Sequence, residues 1–142
     1  MKVKDLMTRD VIRIRPEEPV SVAARNLTHY NVGMLPVCGG DGKLRGVVTD
    51  RDIVTRCLAA GRSPENTTVG QIMTAQVHSV DPNMETSLAA AMMGRRQIRR
   101  LPVVESGKLC GMLSLGDLAG NPDSAYDASD ALTEITSNIS SR

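Results

Sequence analysis

The sequence predicts a small β-α-β-β-α unit used twice. Three observations carry this. Short blocks recur at a nearly constant offset, the blocks alternate between extended and helical patterns in the same order, and the single change of offset falls in a glycine-rich turn. Lys4-Asp5-Leu6-Met7-Thr8 returns as Gly70-Gln71-Ile72-Met73-Thr74, 66 residues later. Val11-Ile12-Arg13-Ile14 returns as Val77-His78-Ser79-Val80, Pro16 as Pro82, and Leu35-Pro36-Val37 as Leu101-Pro102-Val103. Beyond that the offset is 65: Gly42-Lys43-Leu44 matches Gly107-Lys108-Leu109, and Gly46 matches Gly111. One residue is lost where Gly39-Gly40-Asp41-Gly42 faces Glu105-Ser106-Gly107. Length changes gather where backbone is exposed, so a hairpin is expected there.

Each half opens with an extended segment, Val11–Ile14 or Val77–Val80, and a proline-marked turn. A helix follows. In the first half Val20, Ala23, Ala24, Leu27 and Tyr30 share one face at helical spacing, and Pro19 suits the first turn. In the second half Leu88, Ala91, Met92 and Ile98 share a face, with Arg95 and Arg96 outside. Two strands come next, Met34–Cys38 with Leu44–Thr49, then Leu101–Val104 with Leu109–Ser114. They are almost wholly apolar, as strands covered on both faces are. A second helix starts after Thr49 and ends near Gly61, a suitable C′ glycine. Its counterpart after Ser114 is stopped by Gly120-Asn121-Pro122.

This places the first unit at residues 3–60, a linker at 61–68 and the second unit at 69–119. Neither half has many large apolar residues, so the two sheets are expected to pack into one core. Residues 123–142 form a helical tail. Its apolar stripe of Ala128, Leu132, Ile135 and Ile139 requires a partner surface, on its own module or on a second subunit.

The 142 residues carry a net charge of +1, which argues against a broad electrostatic footprint for nucleic acid or an acidic membrane. Arg95, Arg96, Arg99 and Arg100 are the only candidate basic edge. No apolar run approaches the roughly 20 residues that span a bilayer, and no signal core follows Met1, so a cytoplasmic protein is expected. The cysteines, Cys38, Cys57 and Cys110, lack disulfide or zinc spacing and read as buried, reduced thiols. Phe and Trp are absent, so aromatic stacking platforms for bases are unavailable and the eight methionines are expected to pack the core. His29 and His78 have no ligand spacing, and no metal site is expected.

The chemistry concentrates in Gly46-Val47-Val48-Thr49-Asp50-Arg51-Asp52 and its echo Gly111-Met112-Leu113-Ser114-Leu115-Gly116-Asp117. A hydroxyl and a carboxylate three residues apart, where a strand enters a helix, form a capping box. The same groups can hold a sugar and a phosphate, because a carboxylate accepts two hydroxyl hydrogen bonds and a helix N-terminus favours phosphate.

The doubled unit, these two stretches, the Met-Thr openings and the Leu-Pro-Val strands resemble a tandem pair of cystathionine-β-synthase (CBS) domains, a Bateman module, over residues 3 to 119. The resemblance implies an α+β fold of two pseudo-symmetric units packed through their sheets, with two clefts at the junction. It implies a homodimer of such pairs and a non-catalytic sensor that signals to an effector protein. The expected ligand is an adenine nucleotide, AMP, ADP or ATP, with S-adenosylmethionine, NAD or cyclic di-AMP as alternatives.

Carried onto this chain, the resemblance implies ribose binding by Asp52 and Asp117, and phosphate binding by Thr49, Ser114, Arg99 and Arg100. Arg51 and Arg13 are secondary candidates. Aliphatic walls from Val11, Ile12, Met34 and Val77 would hold adenine. The first half has Gly33 and Met34 where the second has Arg99 and Arg100, so the two clefts are expected to differ. The competing reading is an interaction or scaffold protein with vestigial clefts. An enzyme is not expected, because no activated base, phosphate loop or Ser/His/Asp arrangement is present.

Overall fold

Two prolines confine the extended segment that opens each repeat. In the computed structural model, which describes residues 1–140 with side chains to residue 137, Ile14 makes a single parallel bridge to Val37. The Ile14 N–H donates to the Pro36 carbonyl at 3.0 Å, and the Cys38 N–H donates to the Ile14 carbonyl at 2.9 Å. A parallel ladder would continue through N–H groups at Pro16 and Pro36, and proline has none. The second repeat repeats this device. Val80 bridges Val103 between Pro82 and Pro102. The expected strands over 11–14 and 77–80 are therefore one bridged residue each.

The remaining elements, in chain order, are α1 (Val3–Leu6), α2 (Val20–Tyr30), β1 (Met34–Cys38), β2 (Leu44–Thr49), α3 (Asp50–Asp52), α4 (Val69–Ile72), α5 (Thr86–Arg96), β3 (Arg100–Glu105), β4 (Lys108–Ser114), α6 (Leu115–Ala119) and α7 (Ala125–Ser140). A π-helical stretch, Ile53–Leu58, continues α3 directly. The architecture is α+β, with two separate two-stranded sheets, β1-β2 and β3-β4, and a C-terminal helix.

The chain divides into two compact units. One holds Ile12–Val77 with Gly107–Leu109. The other holds Met1–Val11, His78–Ser106 and the chain from Cys110 onward. Each unit thus takes its opening Met-Thr segment from the other repeat.

In the first-repeat unit β1 and β2 pair antiparallel from Met34–Thr49 to Val37–Gly46, with a bulge between Val37 and Cys38. Gly42 turns the hairpin at φ +81°, and the Asp41 carboxylate accepts the Lys43 N–H at 3.0 Å. The core gathers Ile14, Val20, Ala23, Leu27, Leu35, Val37, Val48, Ile53, Cys57, Val69 and Ile72. Tyr30, expected on the buried face of α2, is 46% exposed. It is the last helical residue before Asn31 closes the helix in the left-handed region at φ 52°, so it lies past the last covered turn.

The second-repeat hairpin turns on Ser106 and Gly107, both at positive φ, the tight two-residue connection that suits twisted strands. This is where the repeat lost its residue. The core of the second-repeat unit gathers Val3, Val80, Ala89, Ala90, Met93, Leu101, Val103, Leu113, Leu118 and Ala128.

The buried face of α5 differs from the one its larger side chains suggest. Leu88 is 59% exposed and Ala91 faces solvent, while Ala89, Ala90, Met93 and Gly94 are buried. The cause is α7. A Cβ on Gly94 would lie 3.3 Å from the Ala131 Cα, so small residues admit a close helix. The stripe of α7 shifts to match. Ala128, Ala131 and Ile135 are buried and Leu132 is 41% exposed. The side chain of Ile139 lies outside the described residues. The tail therefore covers the core of its own unit. Of the methionines only Met93 is a fully buried core residue, with Met7, Met73, Met84 and Met92 packed at the margins. No helix among the described residues is long and apolar enough to cross a membrane.

Candidate functional site

Both hydroxyl–carboxylate pairs form closed capping boxes. The Asp52 N–H donates to Thr49 Oγ1 at 3.0 Å, and the Thr49 N–H donates to Asp52 Oδ2 at 3.1 Å. In the second copy the Asp117 N–H donates to Ser114 Oγ at 3.0 Å, and the Ser114 N–H donates to Asp117 Oδ2 at 2.9 Å. Strand thus passes to helix with the N-cap and N3 amides satisfied and a carboxylate at the positive helix end.

The glycine that heads each motif has a separate task. The Met-Thr segment crosses β2 at Val47, which exchanges backbone hydrogen bonds with Thr74 at 2.9 and 2.8 Å. A Cβ on Gly46 would collide with the Thr74 carbonyl oxygen. In the second copy Thr8 pairs with Met112 at 2.9 and 3.0 Å, and a Cβ on Gly111 would lie 2.8 Å from both the Thr8 carbonyl oxygen and the Met7 sulfur. Each capping turn therefore has a Met-Thr segment beside it.

The two carboxylates differ in what reaches them. Asp52 is 7% exposed. Thr74 Oγ1 lies 3.3 Å from each of its oxygens, and Arg56 Nε lies 3.7 Å from Oδ1. Asp117 is half-buried, and among the described residues its carboxylate accepts only the Ser114 N–H. Sequence reasoning missed Thr74 and Arg56. The signal for Thr74 was the recurrence of Met-Thr, and for Arg56 the i,i+4 spacing from Asp52.

The residue before each hairpin is tied to the same turn. The Leu115 N–H donates to the Arg99 carbonyl at 2.8 Å, fixing Arg99 beside the start of α6, next to Ser114. The Asp50 N–H donates to the Gly33 carbonyl at 3.2 Å in the first copy. Arg99 is thus brought to the Ser114–Asp117 turn, where the first copy has no side chain. Arg99 and Arg100 are both solvent-exposed, as are Arg13 and Arg51. Met34 pairs with Thr49 across the hairpin. Val11, Ile12, Met34 and Val77 belong to neither buried core, although Val11 falls in one compact unit and the other three in the second.

The thiols are quiet. Cys38 and Cys57 are buried, and Cys110 is half-buried with its Sγ donating to the Val103 carbonyl at 3.3 Å. Burial pushes the Cys38 and Cys110 thiols above 9.0. Cys110 borders a cavity of about 180 Å³ together with Lys4, Met7, Arg9, Pro82, Asn83 and Glu105. His29 packs edge-on against Tyr30 at 4.7 Å, and His78 is exposed. Among the described residues no three His, Cys, Asp or Glu side chains gather as a metal site.

The model of the CBS domain matches residues 3–59 and 69–122. The chain belongs to the CBS-domain family. It is 42% identical over 134 residues to the CBS domain-containing protein YhcV of Bacillus subtilis, covering 94% of each chain. It is 34% identical over 116 residues to Hypoxic response protein 1 of Mycobacterium tuberculosis, covering 82% of this chain and 81% of that one. The crystal structure of Hypoxic Response Protein I with two coordinated zinc ions superposes with a TM-score of 0.79 at 33% identity, over 85% of this chain and 98% of that one. The crystal structure of CBSX2 in complex with AMP has a TM-score of 0.72 at 30% identity, over 82% and 91% of the two chains. The fold and the doubled unit expected from the sequence are those of CBS-pair proteins, whose domains serve as regulatory modules.

Proposed function

We propose that this chain is a non-catalytic sensor that binds an adenosine-containing ligand, with AMP, ADP or ATP as the expected set, and reports its level to an effector protein. The observation that carries this reading is the second-repeat turn. There a capped carboxylate, Asp117, a hydroxyl, Ser114, and the anchored Arg99 share one helix start. A carboxylate accepts the two hydroxyls of a ribose, and a hydroxyl with a guanidinium at a helix N-terminus takes phosphate. Arg100 adds a second cation, and Thr49 and Asp52 form the corresponding capped pair of the first repeat. Val11 offers aliphatic surface for a base in the unit that holds Asp117, and Ile12, Met34 and Val77 offer it in the unit that holds Asp52. The AMP held by CBSX2 supports the ligand class. The protein acts in the cytoplasm as a homodimer of CBS pairs.

Thermal denaturation with AMP, ADP and ATP tests the ligand. A ligand at 100 times its Kd adds about 2.7 kcal/mol, which raises Tm by roughly 5–11 °C for a chain of this size. S-adenosylmethionine, NAD and cyclic di-AMP complete the series. If none of these shifts Tm, the reading fails. A second reading, a scaffold in which both acids are caps alone, is favoured by the closure of both capping boxes. Under it Asp117→Asn changes stability and leaves every titration flat.

A further inference from the structure

Resting on the reading that these acids receive a sugar diol, we infer that Thr74 occupies the acceptor face of Asp52 from within the protein, so that the ligand's ribose goes to Asp117. The Thr74 hydroxyl straddles the Asp52 carboxylate, 3.3 Å from each oxygen. That is the seat a ligand hydroxyl would take. The hydroxyl is held there by the backbone, because Thr74 exchanges two hydrogen bonds with Val47. The Thr49 N–H and the Arg56 guanidinium complete the surroundings of a carboxylate that is 7% exposed. A ribose arriving at Asp52 must displace an internal hydroxyl and gains only the difference between two similar hydrogen bonds.

The second copy has the same backbone and lacks this occupant. Thr8 pairs with Met112 as Thr74 pairs with Val47. Yet Thr8 is exposed, and among the described residues no hydroxyl reaches Asp117. The position aligned with Arg56 is Asn121, whose side-chain oxygen is turned to the Asp123 N–H at 3.0 Å. A diol at Asp117 therefore has no protein hydroxyl to displace. Thr74 is a positioning residue that makes the two copies unequal, independently of the arginines.

Calorimetric titration with AMP and with ATP tests this, on the full chain and on Thr74→Val, Thr74→Ser, Asp52→Asn and Asp117→Asn, with Tm confirming that each is folded. The full chain is expected to bind one equivalent. Asp52→Asn keeps it, and Asp117→Asn weakens it by about tenfold or more, at 1.4 kcal/mol per tenfold. Thr74→Val, which keeps the backbone pairing, gains a second equivalent, and Thr74→Ser, which restores the hydroxyl, returns to one. Thr74→Ala replaces the valine variant should that fail to fold. Binding that survives Asp117→Asn and is lost in Asp52→Asn overturns the inference and leaves the ligand reading standing. A single equivalent in Thr74→Val overturns the role of Thr74. No heat from either the full chain or Thr74→Val removes both.

Discussion

Gly46 lies so close beneath Thr74 that a Cβ on the glycine would overlap the threonine's carbonyl oxygen. The contact is backbone against backbone, so no flexible side chain can yield. Gly46→Ala should therefore destabilise by about 1–3 kcal/mol or more, the usual cost of overpacking. Gly111→Ala should cost less, because the flexible Met7 side chain supplies one of its two closest contacts at 2.8 Å. Gly116 meets only Ser114 Oγ, at 3.6 Å, and sits in α6. Gly116→Ala should be neutral or stabilise by up to about 1 kcal/mol. Urea midpoints of the three variants check this order.

Arg99 and Gly33 hold the same backbone post beside their capping turns. Arg99→Gly copies the first repeat into the second. It should weaken ATP binding by about 1.5–3 kcal/mol, the value of hydrogen bonds to charged groups, and leave adenosine nearly unaffected. The loss should shrink as salt rises, because an exposed cation is screened. Titrations of ATP and adenosine at two ionic strengths measure both effects.

The doubled unit, both hairpins and the capping boxes were legible because local rules govern them: repeat spacing, glycine at turns, and a hydroxyl three residues before a carboxylate. The Asp52–Thr74 bond was not, since the partners stand 22 residues apart and meet only through the exchange of Met-Thr segments between repeats. The buried face of α5 was misread for a related reason. Periodicity weights large side chains, whereas Ala90 and Gly94 are buried because they are small enough for α7 to approach. The opening strands failed at Pro36 and Pro102, which lie inside other strands and truncate a neighbour's ladder.

Cys110 borders the 180 Å³ cavity without being activated there. Burial first, then the charges of Glu105 and Asp81, push its thiol above 9.0. The native rate of iodoacetamide alkylation should therefore rise with a midpoint above 9.0, later than a free thiol. The sign for stability follows. The folded value is raised, so the contribution is intact below 9.0 and is lost as pH climbs past it, when the unfolded thiol ionises first. Cys110→Ser should flatten the alkaline limb of Tm against pH.

The α5–α7 contact separates two stripes on one helix. Ile135 is buried against the unit's core, while Leu132, three residues earlier, is 41% exposed. Ile135→Ala should cost about 2–5 kcal/mol, transfer and cavity terms together. Leu132→Ala should stay within about 0.5 kcal/mol, as surface changes do. Gly94→Ala should fall between them. Its Cβ would meet the Glu134 carboxylate at 2.6 Å, which can swing away, and the Ala131 Cα at 3.3 Å, which can retreat only with the helix. Adding Glu134→Ala to Gly94→Ala should recover only the part of the loss due to the carboxylate. Full recovery would mean that α7 rests on that side chain rather than on backbone approach.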